Sequence, residues 1–129
     1  MNFGESLARD ARWEDAEIAF ERARTIIEST MGIDHPLMYS IDAGMCTVLQ
    51  GREKYQEAAE LCGRVLEHYA ENPPSPMWES RVNFIMAEVL SHLDRIPEAR
   101  QRAERARRAI AEEDPKKARS ISEWIETLD

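Results

Sequence analysis

The chain has 129 residues, of which 43% are apolar and 33% charged, and its formal net charge is −8. This length is enough for one domain with a hydrophobic core. The negative charge argues against a general affinity for nucleic-acid phosphates, and no apolar run approaches the roughly 20 residues that a membrane-spanning helix needs. The first fifteen residues contain no signal-peptide core, so we expect a cytoplasmic protein without a direct nucleic-acid or membrane partner.

Helix-capping residues and hydrophobic spacing predict an all-helical chain. The helices are predicted at about 3–10, 13–30, 36–51, 55–71, 76–93, 96–112 and 115–128. Three of them begin with an N-cap residue just before a proline, at Asp34-His35-Pro36, Ser75-Pro76 and Asp114-Pro115. The final predicted helix has one apolar stripe and no helix after it, as expected of an end cap.

One pattern occurs three times along the chain. In each copy a bulky apolar residue is followed three positions later by alanine, and the three alanines are Ala16, Ala58 and Ala99. These alanines lie 42 and 41 residues apart. A fixed period of this size is typical of a repeat architecture.

The pattern resembles the tetratricopeptide repeat family. Its positions are occupied in the three units by Gly4, Leu7, Trp13, Ala16, Phe20 and Ala23; by Cys46, Leu49, Tyr55, Ala58, Cys62 and Val65; and by Ala87, Leu90, Ile96, Ala99, Ala103 and Ala106. The period is longer than the usual 34 residues and is similar to that of the kinesin-light-chain type. The resemblance implies a right-handed α-solenoid of three helical hairpins, the first truncated, with a C-terminal capping helix. We expect one domain over residues 1–129, with repeats at about 1–30, 36–71 and 76–112 and the cap at 115–128.

In this family the first helix of each hairpin lines a concave groove, which implies a set of partner-binding residues here. They are Ser40, Ala43, Thr47 and Gln50 in the second unit and Arg81, Phe84, Ile85, Glu88 and His92 in the third. We expect Arg81, Phe84 and Ile85 to be the main anchors. In the alternative, Phe84 and Ile85 pack against the last helix and the charged residues are simply solvated.

Catalytic and metal-binding patterns are missing from the sequence. His35, His68 and His92 are scattered, and the only cysteines, Cys46 and Cys62, occupy apolar positions that favour buried free thiols. We therefore predict a non-enzymatic module without cofactors that binds a partner peptide or protein segment. The alternative is a regulatory domain that responds to a short signalling peptide or a small molecule.

Two surfaces suggest further contacts. The truncated first hairpin leaves Phe3 and Leu7 poorly covered, so we expect either a fragment of a longer solenoid or self-association through this end. The segment from Arg95 to Arg108 has six arginines against Glu98 and Glu104. It is either a solvated face or a docking surface for an acidic partner.

Overall fold

Six α-helices follow one another along the chain in a computed structural model, which describes the backbone of residues 3–128 and the side chains of residues 12–128. The helices are α1 (Phe3–Thr30), α2 (Pro36–Gly51), α3 (Tyr55–Glu71), α4 (Pro76–His92), α5 (Ile96–Ile110) and α6 (Pro115–Glu126). No strand occurs in the described residues. Each helix packs mainly against the next, and α2 also contacts α4. This architecture confirms the predicted all-α helical-repeat solenoid. The predicted repeat positions Phe3, Gly4 and Leu7 lie outside the described side chains.

Side-chain caps set the beginnings of three helices. Ser75 Oγ accepts a hydrogen bond from the Trp78 amide at 3.3 Å, and Asp114 Oδ1 accepts one from the Lys117 amide at 3.1 Å. At the start of α2 the cap is His35 rather than Asp34, because its Nδ1 accepts from the Leu37 amide at 3.1 Å. Each cap satisfies an amide that has no carbonyl partner within its helix.

The helix α1 is continuous where the sequence predicted a break at residues 11–12. The turns inside the other two hairpins each place one residue in the left-handed backbone region, Glu53 at φ 61° and Asp94 at φ 60°. The equivalent position in the first unit is Ala11. Alanine has the highest helix propensity and gains no side-chain hydrogen bond in a left-handed turn, so the helix runs through this position.

Small side chains let the helices of each hairpin approach closely. Ala58 and Ala99, two of the three repeated alanines, are completely buried, and Ala16 is half-buried. The Ser80 hydroxyl on α4 donates a 2.8 Å hydrogen bond to the Ala106 carbonyl on α5, with both residues inside the core. The repeat pattern therefore marks the positions where one helix backbone lies against the next.

Two glycines of α2 play the same role against α1. A Cβ atom at Gly44 would lie 2.6 Å from the Phe20 ring, and one at Gly51 would lie 2.3 Å from the Trp13 ring. Contacts this short are sterically forbidden without movement, so the two rings of α1 rest directly on the α2 backbone. Any side chain at Gly44 would compete with Phe20 for its space.

Ion pairs join α1 to the turn between α2 and α3. The Glu17 carboxylate pairs with Arg52, and its second oxygen lies 3.4 Å from Lys54 Nζ. Burial opposes ionisation of Glu17, but the hydrogen bonds and positive charges of Arg52 and Lys54 outweigh this effect and lower its pKa. Glu17 therefore stabilises the fold in its ionised form.

The buried repeat alanines can be tested by enlarging them. Ala58→Leu and Ala99→Leu should each lower the free energy of unfolding by about 1–3 kcal/mol, because no space exists for the added atoms. Ala70→Leu is the control, since Ala70 is exposed on α3 and should change stability by about 0.5 kcal/mol or less. Urea denaturation followed by circular dichroism measures all three variants. Equal effects at Ala58 and Ala70 would contradict the close approach.

The Glu17 ion pairs predict a pH dependence. A lowered pKa means that the pairs stabilise the fold above the ordinary carboxyl pKa of 4.5, and that this stabilisation is lost as pH falls through the folded-state value. Glu17→Gln should lower the free energy of unfolding by about 1 kcal/mol at pH 7, and this deficit should become smaller as the pH falls below 4.5 towards about 3. Glu14→Gln, on the exposed side of the same helix, serves as the control in urea titrations at both pH values. A deficit that is undiminished at the lower pH would rule out the ion pairs as its cause.

Candidate partner-binding surface

Polar side chains on α2 and α4 form the candidate surface. The two helices are neighbours across the boundary between hairpins. On α2, Ser40 is exposed and Thr47 and Gln50 are half-buried. On α4, Arg81 and His92 are exposed and Glu88 is half-buried. Six of the nine predicted residues are thus accessible on two adjacent helices.

The three apolar members of the predicted set are used in packing. Ala43 and Ile85 are only 2% and 7% exposed and belong to the core formed by α2, α3 and α4. They are not available to a partner, which corrects their assignment to the groove. The reason is that a first helix packs against its own second helix and against the neighbouring hairpin as well. The first helix therefore buries a wider part of its circumference than the repeat pattern of a single hairpin predicts.

Phe84 lies against the capping helix. Its ring meets the Trp124 ring edge to face, with the centroids 5.2 Å apart and the planes at 71°. Both residues flank the second apolar cluster, which α4, α5 and α6 share. Phe84 therefore occupies the place that the alternative interpretation gave it, and its ring helps to hold α6.

Aromatic contacts position Arg81 and His92. The Arg81 guanidinium carbon lies 5.6 Å from the centroid of the Trp78 ring, and Trp78 Nε1 donates a 2.6 Å hydrogen bond to Tyr69 Oη. The His92 ring stacks on Tyr55 with a centroid distance of 4.2 Å. The Arg81 guanidinium therefore lies over the Trp78 ring, at a distance typical of a cation–π contact.

A cavity that the sequence analysis did not predict lies among α1, α2 and α3. Its volume is about 450 Å³, and its polar lining includes Arg24, Asp34, Asp42, Arg64, Glu67 and Glu71. Tyr39 and His68 stack in parallel at its wall, 3.6 Å between centroids. The signal in the sequence is Asp42, the only charged residue of α2.

The Asp42 carboxylate is the most deeply buried charge of this cavity. It accepts a 2.6 Å hydrogen bond from Arg24 Nη1 and so links α2 to α1. Burial raises its pKa, although the charges of Arg24 and Arg64 act in the opposite direction. The pair orients the two helices, while the burial of Asp42 works against its ionisation.

The cysteines are structural. Cys46 and Cys62 are both free and fully buried, as predicted. A hydrogen bond with Cys62 and burial raise the pKa of the Cys46 thiol well above its usual range. A thiolate nucleophile is therefore not available at this position at neutral pH. In residues 12–128 no group of three or more His, Cys, Asp and Glu side chains is placed to hold a metal ion.

The comparison with protein families identifies the architecture. A family model described as a tetratricopeptide repeat matches residues 1–37, which cover α1 and the turn into α2. A tetratricopeptide repeat (TPR) model thus matches the first 37 of the 129 residues, and the all-helical architecture agrees with a TPR solenoid. No match was found among curated proteins or among solved structures. The long-period, kinesin-light-chain-like subtype stays a prediction.

The family match bears on the general role of such a surface. TPR units generally mediate contacts between proteins, and TPR proteins are typically scaffolds rather than enzymes. The polar surface of α2 and α4 lies on the first helices of their hairpins. Within the part of the chain that the structure describes, the helices are too short or too polar to cross a membrane.

The role of Phe84 can be tested by truncation. Phe84→Ala should lower the free energy of unfolding by about 1–3 kcal/mol, because the ring is half-buried against Trp124. Amide hydrogen exchange should become faster in α6 than elsewhere. Met77→Ala is the control, since Met77 is an exposed apolar residue of the same helix. An unchanged α6 in the Phe84 variant would show that the ring does not hold the cap.

Proposed function

We propose that this protein is a non-enzymatic interaction module, and that it binds a segment of a partner protein along the adjacent faces of α2 and α4. The observation that supports this most strongly is the group of accessible polar side chains on these two adjacent helices. A surface kept polar and accessible between two rigid helices suits recognition of an extended segment.

Hydrogen bonding and charge would dominate this recognition. Ser40, Thr47 and Gln50 offer donors and acceptors to the amides of a bound peptide. Arg81 and Glu88 bring opposite charges on one helix, so a segment with both an acidic and a basic side chain would match them. With Ala43 and Ile85 in the core, the groove has few apolar side chains to contribute.

Arg81 is the side chain on which we expect specificity to depend most. It is exposed, and the Trp78 ring beneath it limits its rotamers. A guanidinium fixed in this way loses less conformational entropy when it binds a carboxylate with two hydrogen bonds.

A selection experiment tests the proposed groove. Dodecapeptides selected for wild-type binding from a random displayed library should bind Arg81→Glu at least about tenfold more weakly, because the replacement repels a carboxylate that Arg81 would hold. Fluorescence anisotropy with labelled peptides measures this loss. Arg119→Glu is the matched control, since it makes the same charge change at an exposed site on α6.

Three results would contradict the proposal. One is a library that yields no peptide specific for the wild type. Another is a set of selected peptides that bind both variants equally. The third concerns folding. If Arg81→Glu loses both its binding and its helical circular dichroism, while the folded variant Arg81→Lys binds fully, the guanidinium of Arg81 is not needed for binding. Self-association and cellular location stay predictions.

A further inference from the structure

A basic groove lies along one face of α5, away from the surface on α2 and α4. It is open, with a volume of about 800 Å³, and it is lined by three arginines, one carboxylate and three uncharged residues: Arg100, Arg105, Arg108, Glu104, Gln101, Ile96 and Pro97. We call it the α5 groove. All of these residues belong to one helix, and α5 is the second helix of its hairpin, so the groove is separate from the proposed peptide site.

Both carboxylates of this helix are already paired. Arg95 donates to Glu98, with Nε 3.1 Å from Oε1, and Arg107 pairs with Glu104. Arg102 turns inwards, where its guanidinium lies 3.3 Å from the Asn83 side-chain oxygen. Glu98 and Glu104 are therefore held mainly by Arg95 and Arg107, and Arg108 adds a weaker charge interaction with Glu104.

Arg105 and Arg108 are exposed and form no ion pair among the described residues. The charge of Arg105 acts on the neighbouring Arg102. Burial lowers the pKa of Arg102, and the positive charge of Arg105 lowers it further. The helix dipole favours arginine in the last turn, at Arg107 and Arg108. It does not account for Arg105, which lies before that turn.

The rest of the molecule has the opposite charge. The formal net charge is −8 although six arginines lie between residues 95 and 108. An acidic ligand is repelled by most of this surface and attracted by the α5 groove, which would orient its approach. Ile96 and Pro97 add an apolar end to the groove.

We propose that the α5 groove binds an acidic segment of a partner protein that carries one apolar side chain. The carboxylates of the segment pair with Arg105 and Arg108, and its apolar side chain rests on Ile96 and Pro97. From residue 96 to residue 108 the helix extends about 18 Å, which an extended segment of roughly six residues would span. This contact is independent of the proposed function, because no residue of α2 or α4 takes part in it.

A defined probe tests the proposal. We would titrate the protein into a fluorescein-labelled hexapeptide of five glutamates and one terminal leucine and follow the fluorescence anisotropy. The double variant Arg105→Glu/Arg108→Glu should bind about tenfold more weakly or worse, and wild-type affinity should fall steeply between about 20 and about 200 mM salt. A peptide with alanine in place of leucine should bind more weakly than the original, which reports the apolar contact.

The matched control is Lys116→Glu/Arg119→Glu, on the exposed surface of α6. Both double variants lower the formal charge of −8 by the same four units, so a difference between them locates the site. Equal losses in both variants, or no binding by the wild type, would overturn the proposal. A third result would also overturn it: single-stranded DNA of equal charge binds more tightly than the hexapeptide, and this binding is lost in Arg105→Glu/Arg108→Glu. The groove would then suit nucleic acid.

A last variant separates the two proposed sites. Arg81→Glu should bind the acidic hexapeptide as the wild type does. If Arg81→Glu fails to bind the hexapeptide while Arg105→Glu/Arg108→Glu still binds it, the acidic segment binds on α2 and α4. That result would refute the α5 groove and support the other surface.

Discussion

Close contact between helix backbones is the constraint on which the structure depends. Where a helix touches its neighbour, the side chain is reduced to a methyl group at Ala58 and Ala99, or to hydrogen at Gly44 and Gly51. Aromatic rings or a neighbouring backbone then fill the space. Because each such contact joins elements adjacent in sequence, the same few positions specify every interface of the stack.

This way of packing determines what is left for binding. The first helix of a hairpin is buried on two sides, so apolar residues such as Ala43 and Ile85 are taken into the core. Of the nine predicted binding residues, the six that stay accessible on α2 and α4 are polar, and the ligand that we propose for them is polar in consequence. The arginines of α5 belong to a helix with a narrower buried arc, made largely of alanines, which leaves more of its circumference to water.

Much of the fold could be predicted from sequence because its signals are local. The proline at the first position of three helices and the spacing of the repeated alanines gave the bounds of α2 and α3 to the residue. The break predicted inside α1 was wrong because the repeat register was extended over a segment in which Ala11 takes the place of the left-handed residues Glu53 and Asp94. The site was harder to predict. Whether Phe84 faces a ligand or Trp124 depends on where α6 docks, and the Arg24–Asp42 contact joins residues that no local pattern relates.

The order of contacts along the chain also affects how the molecule comes apart. The helix α1 packs mainly on α2. If α1 detached, it would expose little of the core beyond the α2 surface that Trp13 and Phe20 contact. The two hairpins behind it would keep their shared core. Loss of structure can thus begin with local opening of α1, before the two hairpins unfold cooperatively.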